Sequence, residues 1–146
     1  MKLHPSISFL VTLLLLVACT NSNEGPITIE DAWIREAPPG ASAMAGYMII
    51  SNVSATNLIL QSAKSPDFNA IEFHRSVEKD GVWKMNRHLH IHLDANSSVE
   101  LKPGDYHLMM FSPKRPLKDG DLVDVNLQFT SGIDIDVIVP IVKPQH

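Results

Sequence analysis

Asp121-Leu122-Val123-Asp124-Val125-Asn126-Leu127-Gln128-Phe129, then Ser131-Gly132, then Ile133-Asp134-Ile135-Asp136-Val137-Ile138-Val139, is the stretch that decides the fold. Apolar and polar residues alternate with a period of two, the mark of a strand with one buried face and one wet face. The same alternation begins the folded part of the chain at Ile27-Thr28-Ile29-Glu30. Further candidate strands lie near 44–53, 57–64, 70–77, 82–93, 97–101 and 105–111. Turn chemistry separates them: Pro38-Pro39-Gly40, Ser65-Pro66-Asp67, Lys79-Asp80-Gly81, Pro103-Gly104, Lys118-Asp119-Gly120 and Ser131-Gly132. No segment after residue 20 carries a sustained helical stripe of apolar residues. Eight or nine short strands predict an all-β protein, a β-sandwich or barrel.

The chain has 146 residues, 45% of them hydrophobic, which suits one domain with a real core. Its formal charge is −4, and Lys and Arg are scattered singly. Nucleic-acid binding needs clustered cations to neutralise phosphates, so that class is set aside. The ends are of a different kind. Lys2 precedes an apolar run from Ile7 to Ala18, too short to span a bilayer comfortably and matching the core of an export signal. It closes on Leu16-Val17-Ala18-Cys19, which resembles the lipobox of bacterial lipoproteins, where the cysteine is acylated. The expected organisation is a signal peptide over 1–18, a lipidated Cys19 with a short tether over 19–26, a β-sandwich domain over 27–142, and a tail over 143–146. The expected location is the periplasmic face of the bacterial cell envelope, tethered to a membrane by the lipid. Cys19 is the sole cysteine. A lipidated Cys19 leaves the mature domain no thiol, so a soft metal ligand must be methionine.

All the methionines after Met1, and every histidine except His4 and His146, fall between Met44 and Met110. His107 and Met109 are two apart on a candidate strand, so their side chains leave one face. His74 and Met85 flank Glu78-Lys79-Asp80-Gly81. If those four residues form the loop, Val77 pairs with Val82 and His74 faces Met85, with Cβ atoms about 4.5–5.5 Å apart. Two His–Met pairs then converge on one ion. Thioethers favour Cu(I), whereas zinc prefers thiolate, imidazole or carboxylate. A strand methionine is nonetheless more often core filler than ligand. On spacing alone the two readings stand side by side.

His74, ten residues, Met85, twenty-one residues, then His107-Leu108-Met109 resembles the signature of the periplasmic copper chaperones called PCuAC. The likeness extends through Ala32-Trp33-Ile34-Arg35, Gly46-Tyr47, Ser97 to Gly104, Tyr106 to Met109 and Pro116 to Asp121. That resemblance implies a cupredoxin-like β-sandwich of Greek-key type, with Cu(I) held near one end by His74, Met85, His107 and Met109. It also implies copper supply for cytochrome c oxidase assembly, with a Sco-type thioredoxin-like protein and the oxidase copper subunit as partners. The chain departs from the family at Arg75-Ser76, where relatives often carry a supplementary methionine, and this brings a cation near the expected rim. Met44, Met48 and Met110 read as core.

His88-Leu89-His90-Ile91-His92 forms a second cluster, a candidate accessory site for Cu(II) or Zn(II). Along a regular strand, residues two apart are about 6.5–7 Å apart, so one ion cannot gather all three imidazoles without a bend. Parity also turns them away from Met85. The plain alternative is a solvent-facing strand that happens to use histidine.

Other functions leave weaker traces. A blue-copper electron carrier needs a cysteine thiolate beside two histidines, and the mature domain has none. G-x-S-x-G and H-E-x-x-H are absent, which speaks against common hydrolases and against an enzyme generally. Asp67, Glu72 and Glu100 read as surface or turn residues. Copper storage or detoxification would use the same ligands as delivery. A structural β-sandwich lipoprotein would use none of them.

Overall fold

The computed structural model describes residues 25–144. The expectations for the signal peptide, the lipobox and Cys19 lie outside the described residues, as do the last two positions of the tail. Among the described residues ten strands follow one another: β1 (Ile27–Arg35), β2 (Ala43–Asn52), β3 (Leu58–Lys64), β4 (Phe68–Lys79), β5 (Val82–His88), β6 (Ile91–Leu93), β7 (Ser97–Leu101), β8 (Tyr106–Pro113), β9 (Leu122–Phe129) and β10 (Asp134–Val142). The protein is all-β. The expected strand over 82–93 divides into β5 and β6, because the chain bends at Leu89 between them.

Pairing runs β5-β4-β8-β2-β1-β10-β9-β3-β6, with β7 also on β2. Sheet A holds β1, β2, β4, β5, β7 and β8, and sheet B holds β3, β6, β9 and β10. Most ladders are antiparallel. The join between the sheets is a short parallel pairing of Ile34 with Ile141 and Arg35 with Val142. Strand β2 anchors sheet A: Ala43–Gly46 pairs with β8, and Met48–Asn52 pairs with β7.

Alternation accounts for the core. In β9, Val123, Val125, Leu127 and Phe129 are buried while the residues between them remain wetter. Their apolar face meets the buried face of sheet A, with Ile34, Met48, Ile50, Leu108 and Met110 in the same cluster. Met44, Met48 and Met110 are core residues, as their strand positions predict.

Asp80 and Gly81 set the register of the β4–β5 hairpin. Both adopt positive φ, 55° and 75°, which is the backbone of a two-residue type I′ turn. Lys79 therefore pairs with Val82, Val77 with Lys84 and Ser76 with Met85. This corrects the four-residue loop expected from the sequence, in which Val77 met Val82 and His74 met Met85. Arg87 stands directly across from His74 instead.

One buried polar side chain ties the sandwich at the far end of β2. Asn52 is 1% exposed, and its amide donates to the carbonyls of Thr56, Leu93 and Asp94 at 2.7, 3.3 and 3.0 Å. Its Oδ1 accepts from the Ser54 amide and hydroxyl. Removing it strands several polar groups that have few other partners, each costing about 1–3 kcal/mol. Asn52→Ala should lower stability by about 2–4 kcal/mol, read as a fall in the urea midpoint. An unchanged midpoint would show that water replaces these bonds at no cost.

Candidate metal centre

Strands β4 and β8 are antiparallel neighbours, and their register sets His74 opposite His107 and Glu72 opposite Met109. All four side chains leave the face of sheet A turned away from the core, since the intervening Phe73 and Leu108 are buried within it. Met85, opposite Ser76, shares that face by parity but stands one pair nearer the turn than His74. It is a diagonal neighbour of His74, a separation of about 7–8 Å between backbones that a long side chain can bridge. Met85 is 53% exposed, so its thioether has room to swing over the histidines. The structure thus sets the two histidines side by side, with Met109 in the next row on β8 and Met85 one row away on β5.

The two imidazole rings lie 5.9 Å apart, centroid to centroid. His107 is 4% exposed, an unusual burial for a histidine on an outer sheet face. Tyr47 and Phe111 help to cover the pair, with centroids 6.4 Å from His107 and 6.0 Å from His74 respectively. Tyr47 is held in turn by Trp33, 4.5 Å away, and both rings lie under the Arg35 guanidinium. Burial pushes the Tyr47 phenol up from its ordinary pKa, with Arg35 pulling weakly the other way. Tyr47 therefore stays a neutral, space-filling wall.

Hydrogen bonds assign the tautomers. The Nδ1 of His107 lies 3.0 Å from the Asp105 carbonyl, which can only accept, so Nδ1 carries the proton and Nε2 keeps its lone pair. The Nε2 of His74 lies 2.9 Å from Glu72 Oε2, so there the proton is on Nε2 and the lone pair is on Nδ1. That Nδ1 is buried and has no hydrogen-bond partner among the described residues. Leaving a buried polar atom unpaired costs about 1–3 kcal/mol, and a metal ion would satisfy it. Protein acceptors that fix the non-ligating nitrogen are the usual companions of metal-bound histidine.

Glu72 is the site residue that the sequence reading passed over as a surface group. The signal was available, for Glu72 is two residues from His74 on a strand and must share its face. Its carboxylate also forms an ion pair with Arg87, whose Nε lies 3.3 Å from Oε2, which joins the residue facing His74 to the same network. Arg75 proves to be elsewhere. It leaves the other face of β4, bonds Asp105 Oδ1 at 2.7 Å and lies over the Tyr106 ring at 4.7 Å. The bond to Asp105 raises its pKa further, so this cation is paired on the opposite face and does not crowd the histidines.

The second histidine cluster is not a flat row. His88 ends β5, opposite Phe73, and so leaves the face opposite to His74; its ring meets Tyr106 edge-on at 5.1 Å. Beyond the bend at Leu89, His90 and His92 bring their Nε2 atoms to 3.1 Å from each other. No group of three His, Cys, Asp or Glu among the described residues is arranged to hold an ion, so the triple-histidine arrangement is not formed.

A family model described as "Putative lipoprotein LpqE-like" matches residues 27–141. The chain belongs to the LpqE-like family. A Leifsonia xyli protein described as "Putative lipoprotein Lxx21020" is 28% identical over 116 residues that cover 79% of this chain and 69% of that protein. A Rickettsia prowazekii protein, RP573, is 30% identical over 89 residues, 60% of this chain and about half of its own length (49%). Among solved structures, the copper-bound PCuAC domain from PmoF2 superposes with a TM-score of 0.71 at 24% identity, over 82% of this chain and 95% of that domain. The Cu(I) form of DR1885 from Deinococcus radiodurans gives 0.62 at 26% identity, over 84% of this chain and 83% of that one. The fold is therefore the cupredoxin-like sandwich of PCuAC domains, as the motif resemblance implied. Among the described residues no helix is long and apolar enough to cross a membrane.

The tautomers are directly observable. In the metal-free protein, long-range ¹H–¹⁵N spectra should show His74 protonated at Nε2 and His107 at Nδ1. Glu72→Ala should let His74 populate both tautomers and leave His107 unchanged. A His74 already mixed in the wild type would contradict the role given to Glu72.

Proposed function

We propose that this protein is a periplasmic copper(I) chaperone whose ion is held by His74 Nδ1, His107 Nε2 and the thioethers of Met85 and Met109. The observation that carries the reading is the buried, unpartnered Nδ1 of His74, on a ring whose centroid lies 5.9 Å from that of His107. Two neutral imidazoles and two neutral thioethers suit a soft monovalent cation and leave a net charge of only +1. Support comes from the copper-bound PmoF2 domain and the Cu(I) form of DR1885, whose fold this chain shares.

Exposure of the ligands fits exchange better than permanent retention. His107 is sealed beneath aromatic rings, whereas Met85 sits on the edge strand β5 and is mostly open. A recipient can displace the outer thioether first while the less exposed histidines still hold the ion. Trp83, two residues before Met85 and on the same face by parity, is exposed as well. The resemblance to PCuAC makes copper supply to cytochrome c oxidase the natural destination, through a Sco-type thioredoxin-like partner and the oxidase copper subunit. The lipobox supports acylation at Cys19, which would tether the domain in the cell envelope. Each buried CH₂ of an acyl chain contributes about 0.8 kcal/mol to that attachment.

Competition for Cu(I) against a chromophoric chelator tests the site. Wild type should withdraw one equivalent. Met85→Leu with Met109→Leu should weaken binding at least a hundredfold, and Glu72→Ala about ten- to a hundredfold by loosening His74. Because imidazole must be unprotonated to bind, affinity should fall as the solution is acidified. Equal competition by wild type and the double methionine variant would sink the assignment.

A further inference from the structure

The histidine cluster where the chain passes from β5 of sheet A to β6 of sheet B has its own geometry. His90 and His92 are exposed, and their Nε2 atoms lie 3.1 Å apart with the rings nearly perpendicular at 84°. Two nitrogens bound at about 2.0–2.1 Å to one metal lie about 2.9–3.4 Å apart for angles between 90° and 110°. The pair is thus already at ligand spacing. In the metal-free state one ring donates Nε2–H to the lone pair of the other. Moving that proton to Nδ1, through solvent, leaves both rings with a free Nε2 lone pair at this spacing.

These rings line a groove of about 440 Å³, together with His88, Val99 and Tyr106. No methionine borders it. Donors that are imidazole alone favour divalent copper or zinc over Cu(I), and among divalent ions Cu²⁺ binds more tightly than Zn²⁺. The groove is open, so water can complete the coordination shell. His88, resting on Tyr106, is a third imidazole at the same groove.

We propose that His90 and His92 form a second metal site, which takes one divalent first-row cation, Cu²⁺ ahead of Zn²⁺. The site uses none of the residues assigned to Cu(I), and His88 leaves the opposite face of sheet A from His74. The two assignments therefore stand or fall separately.

Titration of the metal-free protein with Zn²⁺, followed through the ¹⁵N resonances of each imidazole, tests the site. Saturation at one equivalent should shift Nε2 of His90 and His92. The shift should persist in His74→Asn/His107→Asn and weaken at least tenfold in His90→Asn/His92→Asn. Both substituted residues in that last variant are exposed, so its backbone spectrum should otherwise match the wild type. Equimolar Cu²⁺ should then displace Zn²⁺, read as paramagnetic loss of the same two signals. The proposal is overturned if His90 and His92 do not saturate, or if only His74 and His107 respond. Failure of Cu²⁺ to displace Zn²⁺ would overturn the order of preference.

Discussion

The antiparallel register of β4 against β8 is the constraint on which the candidate centre depends. It sets His74 beside His107 and Glu72 beside Met109, and a slip of either strand by one residue would turn that strand's two side chains into the core face. The register is held from behind by Phe73, Leu108 and Met110, which must stay buried against sheet B. The core that stabilises the sandwich and the row of polar groups on its outer face are thus two sides of the same pairing. Ladder and centre cannot be altered independently.

Around that pairing the protein builds a graded environment. Toward β2 and β1, Tyr47 and Trp33 close the face over His107. Toward β5, the edge strand is open, and Arg87 and Met85 are exposed. Glu72 stands between the histidines and Arg87, orienting His74 while its charge is met by a guanidinium. In the proposed site, a shielded half with pre-set lone pairs and an exposed thioether would let an ion be held and still surrendered. Preorganisation lies in the histidines, and accessibility lies in Met85.

Much of this was legible in the sequence because its signal was periodic. Alternation in β9 and β10 identified the sandwich, and parity on β8 put His107 and Met109 on one face. The hairpin was misread for a physical reason. Glu78-Lys79-Asp80-Gly81 is uniformly turn-like in composition, but Asp80-Gly81 alone supplies the two positive-φ positions that a tight hairpin requires. The loop is therefore two residues, and Met85 moves from facing His74 to its diagonal. Glu72 was passed over because a strand carboxylate ordinarily faces water, although its parity with His74 was visible. The meeting of His90 with His92 was not readable at all. It depends on the rotamers of two side chains in the segment after Leu89, where the chain leaves one sheet for the other.

The central claim is that His74, Met85, His107 and Met109 bind a single Cu(I). X-ray absorption at the copper edge of the protein loaded with one reduced equivalent tests it most directly. A Cu(I) edge and a first shell of two nitrogen and two sulfur scatterers are expected, with one sulfur lost in Met85→Leu. A shell of nitrogen alone, or a Met85→Leu spectrum that matches wild type, would contradict it.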